Sequence, residues 1–322
     1  MARHGARWDY LQRDAGKGRE YISNAARPFD PPLSPQGLKQ ASRLGSHLSE
    51  KLASMKLPPI VACYASPFLR CRQTACQAVE ALNSIADDAA NASTEQKATK
   101  PLTVKIELGL TESLNESWYR SWALPGADST WGFVSYDDKT THKRRRHLQE
   151  FAAEELHPLS KVPAQELLDW QDVMTHTLHE EDKLSNELLE RLQDMTYKSR
   201  TTIAPPFALH PKVLVESKNE QMERMHEVVQ VAAEQAVNES ATDSEGQTIL
   251  LVSHGGPVTH LYTKLTGNNW SMHGDSKYCC YSIYEMCHDD GDNTNGQKKW
   301  KPLVVNQSKY LDDLWSDSTA NV

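Results

Sequence analysis

Long apolar runs are missing from this chain of 322 residues. The best one, Thr248–Val252, is a quarter of the roughly 20 residues that a membrane-crossing helix needs. A secretory leader is not expected either, because the N-terminus opens on polar and charged residues. An excess of positive charge is missing too. The formal net charge is −8, and a general nucleic-acid binder carries the opposite balance, so no nucleic-acid partner and no membrane partner are expected. Cysteine is sparse. Cys63, Cys71, Cys76, Cys279, Cys280 and Cys287 show neither a disulfide-scaffold pattern nor zinc-finger spacing. They read as reduced, mostly buried thiols, and the expected compartment is cytoplasmic. Without a leader, the Asn-x-Ser sites at Asn91, Asn115, Asn238, Asn269 and Asn306 are expected to be idle. No internal repeat is visible.

What is present reads as an ordinary globular protein, 39% hydrophobic and 24% charged. Ser34-Pro35 pairs an N-cap with proline at the first helical position. Leu38, Ala41, Leu44, Leu48, Leu52 and Met55 then follow at helical spacing, up to about Lys56. Ile60–Ala65 is a short apolar run suited to a buried strand, and a helix over about 69–85 follows. Leu102–Glu107 alternates like a strand, Thr248–Ser253 is the best strand, and Tyr278–Met286 and Pro302–Val305 complete the set. This order predicts an α/β fold with a mostly parallel sheet between layers of helices. Residues 13–33 read as a loop and 86–100 as a polar connection. Helical segments around 145–157, 164–197 and 217–239 predict a mainly helical cap inserted at 113–245. The core is then 1–112 and 246–308, in one domain, with an acidic tail at 309–322. The basic run Lys143–His147 within the cap reads as a solvated helix start, with nuclear import or anion capture as the other readings.

Chemistry gathers at three strand-to-helix junctions. Arg3, His4 and Arg7 stand at the N-terminus, with Gly5 letting the backbone approach a ligand closely. Arg70 follows the Ile60–Ala65 strand near a helix start; beside it, Arg72 and Arg70 itself also read as surface charges. His254 ends the best strand, followed by Gly255-Gly256; taken alone it also reads as a packed histidine. In a parallel sheet these three ends share one edge, where helix N-termini favour an anion. Arginine forks match phosphate oxygens, and a neutral imidazole is a competent nucleophile toward phosphorus. Only Met1 and Ala2 precede Arg3, so the first strand is expected to be truncated.

Four ordered blocks resemble the histidine phosphatase superfamily, in its phosphoglycerate-mutase-like branch. They are Arg3-His4-Gly5, Leu33–Ala41, Ser66–Ala75 and Leu250–Gly256. The run from Arg3 to Asp9 is similar to that of the phosphatases that suppress T-cell receptor signalling, whose ubiquitin-binding and adaptor domains have no counterpart in this chain. The resemblance implies a three-layer α/β/α fold and a phosphomonoester hydrolase needing neither metal nor cofactor. His4 is then the nucleophile that becomes phosphohistidine, and Arg3, Arg7, Arg70 and His254 hold the phosphoryl oxygens. A proton donor is required as well. Glu107–Glu112 resembles the family's Glu-Pro-x-Leu-x-Glu pattern with Leu108 in place of proline, which points to Glu112. Leu114-Asn115-Glu116 fits a mutase pattern, which keeps Glu116 open. Trp8, Tyr10, Trp118 and Trp122 are pocket candidates, or simply residues packed under loops. Two other functions stand beside the phosphatase: a phosphoglycerate mutase, and a phosphate-binding scaffold without turnover. The phosphorylated substrate itself cannot be read from the sequence.

Overall fold

A computed structural model describes residues 1–18, 30–92, 101–112, 183–201, 217–239, 246–287 and 299–316. In chain order the elements are β1 (Ala2–Arg3), α1 (Trp8–Asp14), α2 (Pro35–Ser54), β2 (Ile60–Ala65), α3 (Leu69–Ala92) and β3 (Val104–Ile106). There follow α4 (Lys183–Leu192), α5 (Lys218–Glu239), β4 (Thr248–Ser253), α6 (Gly255–Thr266), β5 (Tyr281–Cys287), β6 (Lys299–Gln307) and α7 (Asp312–Ser316). Short 3-10 turns stand at Leu108–Leu110, Trp270–His273 and Lys309–Leu311.

α2 begins as its residues dictate. Ser34 is extended and its side chain accepts from the Gly37 N–H at 3.0 Å, while Pro35 fills the first helical position. Its apolar stripe buries Leu44, Leu48 and Leu52, each burial worth about 2 kcal/mol. α6 stops at Gly267, whose φ of 71° puts it in the left-handed region that closes a helix.

The strands form one sheet in the order β3-β2-β4-β1-β5-β6. β1, β2, β3 and β4 run parallel to their neighbours in that group, and β5 and β6 are antiparallel. Alternation along the strands sends side chains to two faces. Cys63, Ala65, Leu250 and Val252 meet α2, α3 and α4; Ala62, Tyr64 and Leu251 meet Met225, Val228 and Val229 of α5 and Leu261 of α6. The result is the expected three-layer α/β/α architecture.

Three expectations need correcting. The 113–245 segment is not wholly a cap. Its described parts include α4, whose Leu189 and Leu192 join one core cluster, and α5, which builds the helical layer on the other face. Tertiary packing on the sheet, invisible to helical periodicity, decides that placement. The remainder of the segment lies outside the described residues, with Glu116, Trp118, Trp122 and Lys143–His147. α1 runs to Asp14, past the expected loop start at residue 13, and the tail is docked as far as Leu314. Leu311 is fully buried, Tyr310 Oη donates to the Cys279 carbonyl at 2.6 Å, and Gln36 donates to the Leu314 carbonyl at 2.7 Å.

β1 lies in the centre of the sheet, pairing Ala2 with Val252 and Arg3 with Ser253. Met1 sits inside the sheet as well: its ammonium donates to the Ser282 carbonyl at 3.0 Å, and burial pulls its pKa down to about 5. Against Met1 lies a cavity of about 440 Å³, flanked by Thr248–Leu251 of β4 and Ser282–Met286 of β5.

Candidate active site

The C-terminal ends of β1, β2, β3 and β4 deliver His4, Ser66–Arg70, Glu107–Glu112 and His254 to one edge of the sheet. α3 and α6 also start there, aiming their positive ends at the same place. Although the chain is acidic overall, the site collects Arg3, Arg7 and Arg70, so the local field is set by the cleft and not by net charge.

His4 is held almost entirely by main chain. Its N–H donates to the Ser253 carbonyl at 2.9 Å, and its own carbonyl accepts from Cys279 N–H at 3.1 Å. The ring is 2% exposed, with Nδ1 2.8 Å from the Gly5 carbonyl. A carbonyl only accepts, so Nδ1 carries the proton and Nε2 keeps a lone pair. Burial first, then the charges of Arg70 and Arg3, hold its pKa well below that of an ordinary imidazole. The buried ring is therefore neutral at neutral pH.

The loop after His4 is strapped to α2. Ala6 N–H donates to Gln40 Oε1 at 2.9 Å, and Ser34 N–H donates to the Ala6 carbonyl at 2.8 Å. Gly5 N–H donates to Thr74 Oγ1 at 3.0 Å. A Cβ on Gly5 would lie 2.6 Å from the Gly37 carbonyl oxygen, so its lack of a side chain makes room for α2.

His254 is fully buried and held by side chains. Nε2 lies 2.8 Å from Ser66 Oγ and Nδ1 lies 3.1 Å from Arg70 Nη2. Phe68 and His4 meet its ring edge-on, with centroids at 5.0 and 5.3 Å. Burial first, then Arg70 and His4, push its pKa well below the usual value. Arg70 is buried, with Nη1 3.6 Å from Asp30 Oδ1; the same oxygen accepts from Leu69 N–H at 2.8 Å at the head of α3.

Arg3 spreads its guanidinium over the Tyr278 ring at 4.4 Å and donates to the Ser276 carbonyl. Arg7 is paired bidentately with Asp9, through Nε at 2.9 Å and Nη2 at 2.7 Å, and stacks on Tyr10 at 4.3 Å. Glu112 brings Oε2 to 3.6 Å from His254 Nδ1. Its loop is clamped by Arg224 of α5, which donates to the carbonyls of Gly109, Thr111 and Glu112. Glu107, in contrast, is buried under donors from Tyr197, Thr201 and Arg200, and anchors the 194–201 segment. Arg72 faces away from the site, its Nε donating to Gln193 Oε1 at 3.0 Å. The structure thus brings together Arg3, His4, Arg7, Arg70, Glu112 and His254. Reading the sequence missed Asp30, Ser66 as a partner of His254, and Arg224. Ser66 lay in a quoted block, whereas Arg224 carries no local signal.

A sequence profile of the histidine phosphatase superfamily (branch 1) matches residues 3–91 and 163–295. The chain belongs to the histidine phosphatase superfamily. The matched range takes in α4 and α5, in keeping with their place in the core of this superfamily member. Comparison with curated proteins gave no match. Among solved structures, a mycobacterial glucosyl-3-phosphoglycerate phosphatase in complex with VO3 is 17% identical, with 96% of this chain and 98% of that chain covered and a TM-score of 0.45. The ecdysone phosphate phosphatase from Bombix mori, in complex with tungstate, is 17% identical, with 92% and 95% covered and a TM-score of 0.44. Among the described residues no cluster of three or more His, Cys, Asp or Glu is arranged to hold a metal ion, and no helix is long and apolar enough to cross a membrane. All six cysteines are free, and only Cys287 is not buried.

Proposed function

We propose that this protein is a phosphomonoester hydrolase that works through a phosphohistidine on His4. The observation that carries the reading is the Nδ1 contact to the Gly5 carbonyl at 2.8 Å within a buried, arginine-lined pocket. It leaves Nε2 as an unprotonated nucleophile in the protonation state that attack requires. In the first step Nε2 donates its lone pair to phosphorus, the N–P bond forms and the ester P–O bond breaks. The leaving oxygen takes a proton from Glu112, whose Oε2 lies 3.6 Å from His254 Nδ1. In the second step water attacks phosphorus and gives its proton to Glu112, the N–P bond breaks, and inorganic phosphate leaves. Arg3, Arg7, Arg70 and His254 supply charge and donors to the phosphoryl oxygens, the main requirement of phosphoryl transfer.

The test is hydrolysis of a chromogenic phenyl phosphate in chelator-treated buffer, by the wild type and by His4→Ala. The wild type is expected to turn over and to trap an acid-labile phosphoenzyme. His4→Ala should lose at least about 10³-fold in rate. Turnover that survives His4→Ala intact sinks the mechanism. Vanadate binding without any turnover in the wild type sinks the enzyme in favour of a binding scaffold.

A further inference from the structure

The loop that carries Glu112 has little secondary structure of its own. After β3 the chain makes one short 3-10 turn, Leu108–Leu110. Leu110 N–H donates to the Glu107 carbonyl and Thr111 N–H to the Leu108 carbonyl, both at 3.0 Å. The loop is buried as far as Thr111, so its remaining carbonyls need donors from elsewhere in the protein. Ser253 Oγ donates to the Leu110 carbonyl at 2.6 Å. The carbonyls of Gly109, Thr111 and Glu112 all accept from the Arg224 guanidinium of α5, at 3.1 Å for Thr111 and 3.4 Å for Glu112.

Arg224 is 9% exposed. A guanidinium offers five N–H groups in a fixed fork, which lets one side chain serve three carbonyls. Glu112 is thereby held at one end and left to work at the other. Its main chain is tied to α5, while its carboxylate reaches to 3.6 Å from His254 Nδ1. The base of the loop is anchored independently of Arg224, by Leu108 N–H to Ser199 Oγ at 3.0 Å and Gly109 N–H to Thr201 Oγ1 at 2.8 Å.

We propose that Arg224 is a positioning residue for proton transfer: by holding the main chain of Thr111 and Glu112 it places the Glu112 carboxyl at the leaving oxygen. The proposal rests on the phosphatase reading of this site, with Glu112 as the proton donor. Without Arg224 the end of the loop must turn to find other donors for its carbonyls, and it carries Glu112 with it. Arg3, Arg7, Arg70 and His254 are held by contacts that do not include Arg224.

The experiment compares kcat/KM for two esters. Phenyl phosphate releases a phenoxide that leaves poorly without a proton, whereas the leaving group of dinitrophenyl phosphate needs none. Arg224→Met is expected to lose about 10- to 100-fold on phenyl phosphate and less than about threefold on dinitrophenyl phosphate. A merely structural role lowers both alike, and equal losses overturn the proposal. Glu112→Gln should show the same split. On phenyl phosphate the double variant should stay within about threefold of Glu112→Gln alone, because a displaced acid is worth no more than an absent one. Losses that multiply in the double variant overturn the proposal. Arg224→Lys keeps the charge and gives up the fork, so wild-type kcat/KM on phenyl phosphate in that variant also overturns it. Should Arg224→Met fail to fold, Arg224→Lys on the two esters decides. A wild type inert toward both esters sinks the phosphatase reading, and this proposal with it, before any variant is made. A split missing from Glu112→Gln sinks Glu112 as the acid, whereas a split missing only from the Arg224 variants sinks the positioning role alone.

Discussion

His4 and His254 face each other across 5.3 Å between ring centroids, yet they are held by opposite means. His4 ends a two-residue strand and is fixed by main-chain bonds to Ser253, Cys279 and Gly5. His254 ends a six-residue strand and is fixed by the side chains of Ser66 and Arg70. The difference matters for function. Backbone carbonyls cannot be altered by substitution, so the His4 ring has its tautomer set by the part of the protein that varies least. His254 is held by side chains, which substitution can change. Weak support from β1 is offset by straps from the neighbouring elements, especially α2 and the turn before β5.

The strongest way to break this comparison is to add one methyl group on each side. Gly5→Ala drives a Cβ to 2.6 Å from the Gly37 oxygen, an atom in the backbone of a buried helix that cannot swing aside. His4 must move instead, and displacements near 1 Å at a reacting group cost on the order of 10²-fold. Gly255→Ala, beside the other histidine, puts its Cβ 3.1 Å from Ser276 Oγ and 3.5 Å from Arg3 Nε, both at the ends of side chains. The expected outcome is a fall in kcat/KM of about 10²-fold for Gly5→Ala and under about tenfold for Gly255→Ala. Equal losses would show that the main-chain straps matter no more than the side-chain ones.

That contrast also marks how far the sequence could be read. The junction chemistry of Arg70 and His254 was legible because each follows a short apolar run, and a parallel sheet sends such ends to one edge. The straps were not. Gly5 reads as room for a ligand, since nothing local says that Gly37 of α2 will occupy that space. Asp30 lies in a Pro-rich loop with no periodicity, and its bond to the head of α3 spans 39 residues. α5 has a clear apolar stripe of Met225, Val228, Val229 and Ala232, but a stripe states only that a face is buried, not against which layer. Thus Arg224, the clamp on the Glu112 loop, was hidden in a segment taken for a cap. Two residues are too few for a strand pattern, which is why β1 could only be inferred from what it carries.

The finest test uses protons, because both histidines are buried neutral. For each, the folded pKa lies below the unfolded value of about 6.5. Between those two values the unfolded chain binds more protons than the folded one, so stability rises with pH there. It is fully present above about pH 6.5 and is lost as pH falls toward the folded pKa values, by at most about 1.4 kcal/mol per pH unit for each histidine. The Met1 amine, pulled down to about 5, acts in the same direction from about pH 8 downward. Urea midpoints between pH 5 and 7.5 should therefore fall on acidification, and His4→Asn or His254→Asn should each flatten the slope. The two supports predict unequal accompaniments. His254→Asn gives up two side-chain partners, Ser66 and Arg70, and should also lower the midpoint at pH 7.5. His4→Asn keeps its main-chain bonds to Ser253 and Cys279 and should lower it less. Equal losses at pH 7.5 would mean that the His4 ring, and not its backbone, secures the first junction.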